Sequence, residues 1–436
     1  MQRSKVPQYD YLLFFTTLAL IIIGILFIYS SGVNAEGIQS SDEYLRQIVW
    51  AGTGLIFMLG ISFMKHSVFY DVAPIFYILL GVLLLFTLFA GTVVNGARSW
   101  LGFASFGIQP SEFMKIGLIL MLAHYLEKAN SKEIESIRGL VKGLMIMALP
   151  IILVLLQPDL GTALVYLPLT IAVFYAAGAR PVYLGFLIAT IFFTGIFIVL
   201  PEWEQHIYSE SINFFRIFTD TQFFIFSAMT LISILLISII AFLRLRKQYF
   251  FWIAYFSAVI ILSFLLAPLL RPILQDHQMM RLLIFLDPQV DPRGAGWNII
   301  QSITAVGSGG FWGKGFLAGT QSHLQFLPQQ STDFIFSILA EEWGFLGGLL
   351  VTVLYAVIIM RGISIASQAR DRIGTYIAIG ICSMYFFHYS VTVGMSIGIM
   401  PITGIPLLFL SYGGSSLWTA MIGMGILISI SRSRFI

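Results

Sequence analysis

The sequence predicts an all-α, polytopic membrane protein, and three observations carry that prediction. Hydrophobic residues make up 58% of the 436 positions and charged residues only 10%. The mean hydropathy is +0.90. The apolar residues also fall in continuous runs of about 20, the length needed to cross the hydrocarbon core as a helix. Alternating apolar and polar residues, the mark of a membrane β-barrel, are not the pattern here. A soluble domain of this size needs far less apolar side chain. The polar stretches between runs are too short or too apolar to form a separate soluble domain. The single Cys382 lies within an apolar run, which excludes an intrachain disulfide and argues against thiol chemistry.

In chain order, the apolar runs place spans near 12–31, 46–64, 73–92, 111–127, 140–156, 160–178, 182–200, 223–243, 250–270, 335–360, 374–396 and 407–431. The first follows Arg3 and Lys5 and lacks a small-residue cleavage pattern, so it is expected to be retained as a helix. The fourth carries Glu112 and Lys115, and the fifth is close to the lower length limit, which makes these two the weakest spans. Runs 223–243 and 250–270, joined by Arg244-Leu-Arg-Lys247, form a helical hairpin with a basic turn. With the N-terminus in the cytoplasm, most of the 24 Lys and Arg fall on the cytoplasmic side. That bias places both termini inside. Most of the 21 Asp and Glu then lie on the outer side, facing away from cytosolic nucleotides. No internal repeat or low-complexity segment is evident.

Four polar patches face outward in this topology. Around 95–115, Pro110 suits a first helical position, and Glu112 and Lys115 then share a helix face. Two readings fit: a self-neutralising ion pair, or an anion site in which Lys115 joins Arg98, since partly desolvated cations hold phosphate strongly. Gln157-Pro-Asp-Leu-Gly161 is either a short connection in which Asp159 caps the next helix or a polar contact to a metal or sugar. The glycine-dense stretch 297–319 is expected to be a structural, membrane-skimming loop rather than a helix. His277, His323 and His388 show no metal-ligand spacing.

The fourth patch is 323–345. Ser331 or Thr332 is expected to cap a helix whose first turn contains Asp333, followed by Glu341 and Glu342 inside an apolar run. Acids near lipid are costly and often functional, so Asp333 is the first catalytic candidate. Glu341 is a supporting one, and Glu342 is the more structural of the two.

Four stretches in this order, NGARSWLGFASFGIQPSEFMK (95–115), QPDLGTALV (157–165), GKGFLAGTQSHLQFLPQQSTDFIFSILAEEWGFLG (313–347) and GIPLLFLSYGGSSL (404–417), resemble the SEDS family of peptidoglycan polymerases. The resemblance covers nearly the whole chain as a single domain, 1–436. The wording before Thr332-Asp333 is closer to the elongation branch than to the division branch. Two features depart from the family pattern. Gln329-Gln330 replaces an acid, and the hairpin 223–270 adds two spans to the usual ten.

The resemblance implies a glycosyltransferase that joins lipid II to a nascent glycan strand outside the bacterial cytoplasmic membrane. The catalytic Asp333 then sits at the end of a large extracytoplasmic loop, 271–334. A sugar hydroxyl is a poor nucleophile and needs a base, the role of Asp333. A polyprenyl pyrophosphate leaves, and Arg98 and Lys115, with or without a divalent cation (Mg or Mn), would meet its charge. Gln109, Glu112, Gln157 and Asp159 complete the expected substrate site, and Thr332 and Ser411 support it. Implied partners are a class B penicillin-binding protein and other membrane proteins of the elongation complex; no nucleic acid is expected. The alternatives are a flippase for the same lipid and a non-catalytic scaffold for a transpeptidase.

Overall fold

A computed structural model describes residues 9–34, 36–94, 96–102, 107–207, 217, 220–292, 294–324 and 326–433. Arg3, Lys5, Asn95 and Arg434 lie outside the described residues. The chain forms α1 (Tyr11–Ser31), α2 (Glu43–Phe63), α3 (Ser67–Ala90), a hairpin of β1 (Thr92–Val94) and β2 (Ala97–Trp100), α4 (Pro110–Lys128), the one-turn α5 (Ser131–Ile134), α6 (Ile137–Leu155) and α7 (Leu160–Ala176). It continues with α8 (Pro181–Ile207), α9 (Thr221–Leu245), α10 (Gln248–Leu270), α11 (Asp276–Leu286), α12 (Ala295–Ser308), the one-turn α13 (Thr320–His323), α14 (Ile335–Ser367), α15 (Arg372–Ser396) and α16 (Gly414–Ser433).

A helix occupies each of the twelve expected positions, and ten of them are long and apolar enough to cross a membrane. The chain is an all-α polytopic membrane protein. The two outside that set have physical reasons. Helix α7 has 17 residues, short for a span. Helix α4 is diluted by Glu112 and Lys115, yet it is surrounded by α3, α6, α7, α15 and α16. Its burial among helices lets it carry charges that a lipid-facing helix would expel. Helix α6, expected to be marginal, is among the ten.

Two compact units are present. The first joins residues 1–179 to 298–436, and the second is residues 180–297. In the second, the hairpin α9–α10 is anchored through α10 on α8: Ser263 Oγ donates to the Thr190 carbonyl at 3.0 Å and Tyr255 Oη to the Val182 carbonyl at 3.0 Å. Ile198, Ala267, Met279 and Leu283 form a small core there, and Arg271 pairs with Glu202 at 2.6 Å.

Three expectations need correction. Residues 295–308 are a helix, not a skimming loop, because the glycines concentrate from Gly307 onward. The α12 face carrying Ile299, Ser302 and Ala305 is buried, and Ser302 Oγ donates to the Ser396 carbonyl at 2.8 Å. The last helix begins at Gly414 rather than near 407. Helix α14 begins at Ile335 with Phe334 in the capping position and no side-chain cap, so neither Ser331 nor Thr332 caps it. Their carbonyls are instead engaged by the 411–412 segment.

Candidate active site

Two side-chain clusters in the first unit share one wall, the segment 404–415. One cluster gathers the sequence-predicted residues of α4 and the 157–162 turn. Pro110 starts α4, which places Glu112 and Lys115 one turn apart facing inward. Lys115 Nζ lies 2.6 Å from Glu112 Oε1, with the two side chains 1% and 3% exposed. It also lies 3.0 Å from His388 Nε2. His388 Nδ1 faces the Pro406 carbonyl at 2.8 Å. A carbonyl only accepts, so Nδ1 carries the proton and Nε2 accepts from Lys115. The geometry therefore supports the ion-pair reading of Glu112 and Lys115. His388, which showed no signal in the sequence, is the third member.

Asp159 caps α7: Oδ1 accepts the Thr162 N–H at 3.1 Å, and Oδ2 accepts Gln109 Nε2 at 2.8 Å. Gln157 is fully buried, and its Nε2 donates to the Leu84 carbonyl at 2.9 Å. Its own carbonyl accepts the Arg98 N–H at 3.2 Å, which ties the β hairpin to the turn. Val93 pairs with Arg98 across that hairpin. The available signal was the Asn95-Gly96 dipeptide between apolar residues. The Arg98 side chain is exposed, with Nη1 3.5 Å from the Leu88 carbonyl. Gln109, Glu112, Lys115, Gln157 and Asp159 thus sit around connected turns, while Arg98 stands at their exposed edge.

The second cluster surrounds the start of α14. Asp333 is half-buried, in the residue just before the cap. Its N–H donates to the Gln329 carbonyl at 3.1 Å. Ser411 Oγ donates to the Thr332 carbonyl at 2.6 Å, and the Tyr412 N–H donates to the Ser331 carbonyl at 2.9 Å. Gln330 Nε2 reaches the Ser31 carbonyl at the end of α1, at 2.8 Å. The turn carrying Asp333 is held from several sides, and Ser411 is one of the holds.

Glu341 and Glu342 are fully buried and engaged with the loop that precedes the turn. Glu341 Oε1 accepts Lys314 Nζ at 2.8 Å, the Thr320 N–H at 2.8 Å and the Gln321 N–H at 2.9 Å. Its Oε2 accepts the Ser322 N–H at 3.3 Å. Glu342 accepts from Ser30 Oγ and, at 3.1 Å, from the Leu317 N–H. Two glycines permit this packing: a side chain on Gly313 would meet the Glu342 carbonyl, and one on Gly344, with φ +63°, would meet the Gly313 nitrogen. The loop amides at 314 and 315 are taken up by the Glu341 and Glu342 carbonyls, as a structural loop requires. Glu341 thereby fixes this loop. Replacing Glu341 by alanine strands three amides and takes the partner from a half-buried Lys314, and should lower stability by about 2–3 kcal/mol. A thermal melt in detergent and faster amide exchange across 314–322 would read it.

Among the described residues, no cluster of three His, Cys, Asp or Glu could hold a metal ion. Glu112, Asp159 and Glu341 each already serve a cation or amides.

Comparison with known proteins bears on the chain as a whole. The family model described as cell cycle protein, FtsW/RodA/SpoVE, matches residues 10–222 and 219–435. The chain is 48% identical to the peptidoglycan glycosyltransferase RodA of Treponema pallidum over 434 residues, 100% of both chains. It is 33% identical to the stage V sporulation protein E of Bacillus subtilis, over 99% of this chain and 100% of that one. Among solved structures, a chain from a study of polymerization and crosslinking by a peptidoglycan synthase complex aligns with a TM-score of 0.66 at 26% identity, over 98% of both chains. From its first span to its last, the chain belongs to the SEDS family, the cell cycle proteins of the FtsW, RodA and SpoVE type.

Proposed function

We propose that this chain is a peptidoglycan glycosyltransferase of the elongation type, polymerising lipid II at the outer face of the cytoplasmic membrane with both termini in the cytoplasm. The observation that carries the reading is full-length similarity to a named peptidoglycan glycosyltransferase, combined with a half-buried acid on a turn held by backbone and side-chain bonds. In the reaction, an acceptor sugar hydroxyl forms a bond to the anomeric carbon of the donor. The bond from that carbon to the pyrophosphate oxygen breaks, and polyprenyl pyrophosphate leaves. The hydroxyl proton passes to the Asp333 carboxylate. One base without an enzyme nucleophile fits inversion at the donor carbon.

Arg98, on the exposed edge, is a cation an incoming pyrophosphate could meet. Lys115, neutralised by Glu112 and bonded to His388, would hold the start of α4 in place beside it. Gln109, Gln157 and Asp159 would shape the site. No step is assigned to a divalent cation, because the described residues do not gather ligands for one. Accordingly, EDTA should leave the melting temperature of the purified protein unchanged; a fall would reveal a protein-held ion.

A class B penicillin-binding protein is the proposed partner, since new strands need crosslinking. The likeness to a chain of a peptidoglycan synthase complex supports this. The test is polymerisation of purified lipid II by the purified chain, with and without that partner. Glycan strands are expected; lipid II carried across vesicles without polymer would favour a flippase.

A further inference from the structure

We infer that Gln47, on α2, is a positioning residue for Asp333. The inference rests on the reading of Asp333 as the base. Gln47 is 1% exposed, in a helix otherwise suited to lipid and packing. Its Nε2 donates to the Ser411 carbonyl at 3.1 Å, and its Oε1 accepts the Gly413 N–H at 3.2 Å. The two bonds fix which end of the amide is oxygen, because a carbonyl accepts and an N–H donates. One side chain thereby brackets residues 411–413 as a neighbouring strand would.

What those residues hold gives the bracket its consequence. Ser411 Oγ accepts the Leu407 N–H at 2.8 Å and donates to the Thr332 carbonyl at 2.6 Å. That carbonyl and the Asp333 N–H belong to one peptide plane. The N–H edge is bonded to the Gln329 carbonyl at 3.1 Å. The plane is therefore pinned on both edges, and its tilt sets the direction in which the Asp333 side chain leaves the backbone. Between Tyr412 and Ser331, a second bond of 2.9 Å keeps the same two segments in register. The bonds of Gln47 are to Ser411 and Gly413, so it acts on the turn through the segment 411–413.

The substitution that separates positioning from packing is Gln47→Glu. An ionised carboxylate keeps the bond from Gly413 but repels the Ser411 carbonyl. A protonated carboxyl restores both bonds. Glu43 and Arg46 on α2, and the Tyr412 phenol that engages Arg46, are common to wild type and variant and cancel in a ratio. Expected results, from purified lipid II and with folding checked by thermal melts, are as follows. Gln47→Leu lowers kcat by about tenfold to a hundredfold with KM nearly unchanged, as for a displaced catalytic group. Gln47→Glu shows a rate relative to wild type that climbs as pH falls, because protonation restores the bond to the Ser411 carbonyl. A folded Gln47→Glu protein with a pH-independent ratio, or a Gln47→Leu protein with wild-type kcat, overturns the inference. If Gln47→Leu fails to fold, the Gln47→Glu ratio still decides. Asp333→Asn, measured beside them, keeps the two ideas apart. An active Asp333→Asn sinks the base reading, whereas an inactive one with a flat Gln47→Glu ratio sinks only the positioning role.

Discussion

Lys115→Met should destabilise the protein by about 3–5 kcal/mol, the cost of leaving one partner of a buried ion pair alone. Glu112 would keep a carboxylate that is 2% exposed with no cation, and its Oε2 already lacks a bonded partner. His388 Nε2 would lose its donor as well. The double variant Glu112→Leu, Lys115→Met should recover most of the loss, because an apolar pair of similar volume often matches a buried ion pair. Activity should not follow stability: the folded double variant is expected to polymerise lipid II poorly, since the pair that fixes the start of α4, one turn from Gln109, and that donates to His388 would be gone. Unfolding followed by intrinsic fluorescence gives the first quantity and glycan synthesis the second. Wild-type polymer from the double variant would reduce the pair to a packing element.

Much of this fold is legible in the sequence for a simple reason. Continuous apolar runs announce helices, and a helix stands at each of the twelve positions. Legibility fails where burial comes from protein instead of lipid. Helix α4 is enclosed by five neighbours, so its Glu112 and Lys115 are affordable although hydropathy marks them as defects. At 295–308 the neighbouring glycines suggest a loop, yet Ser302 and its apolar face pack inward as a helix.

The site divides in the same way. Asp159 as a cap and Glu112–Lys115 as a pair are short-range features, readable from spacing. His388 and Gln47 lie 273 and 364 residues from their partners Lys115 and Ser411, and no local pattern announces such bonds. Ser331 and Thr332 look like caps because their side chains are suited to it. In the fold, their backbone carbonyls matter more, as acceptors for Tyr412 and Ser411.

Asp333→Asn should lower polymerisation by about 10²–10⁴-fold, the range for loss of a general base. An amide keeps the size and polarity of the carboxylate but does not take the hydroxyl proton. The turn should persist, since bonds through the backbone of Gln329, Ser331, Thr332 and Asp333 and the Gln330 side chain hold it. Melting temperature and lipid II binding are therefore expected to stay near wild type, placing the loss in turnover. Asp333→Glu keeps a base but moves it by one methylene, and should retain a small part of the rate.

The most direct measurement is a time course of glycan synthesis from purified lipid II by wild type and Asp333→Asn, at equal amounts of folded, lipid II-binding protein. Long strands are expected from the wild type and only background from the variant. Strands formed by Asp333→Asn at the wild-type rate would contradict the reading of Asp333 as the base.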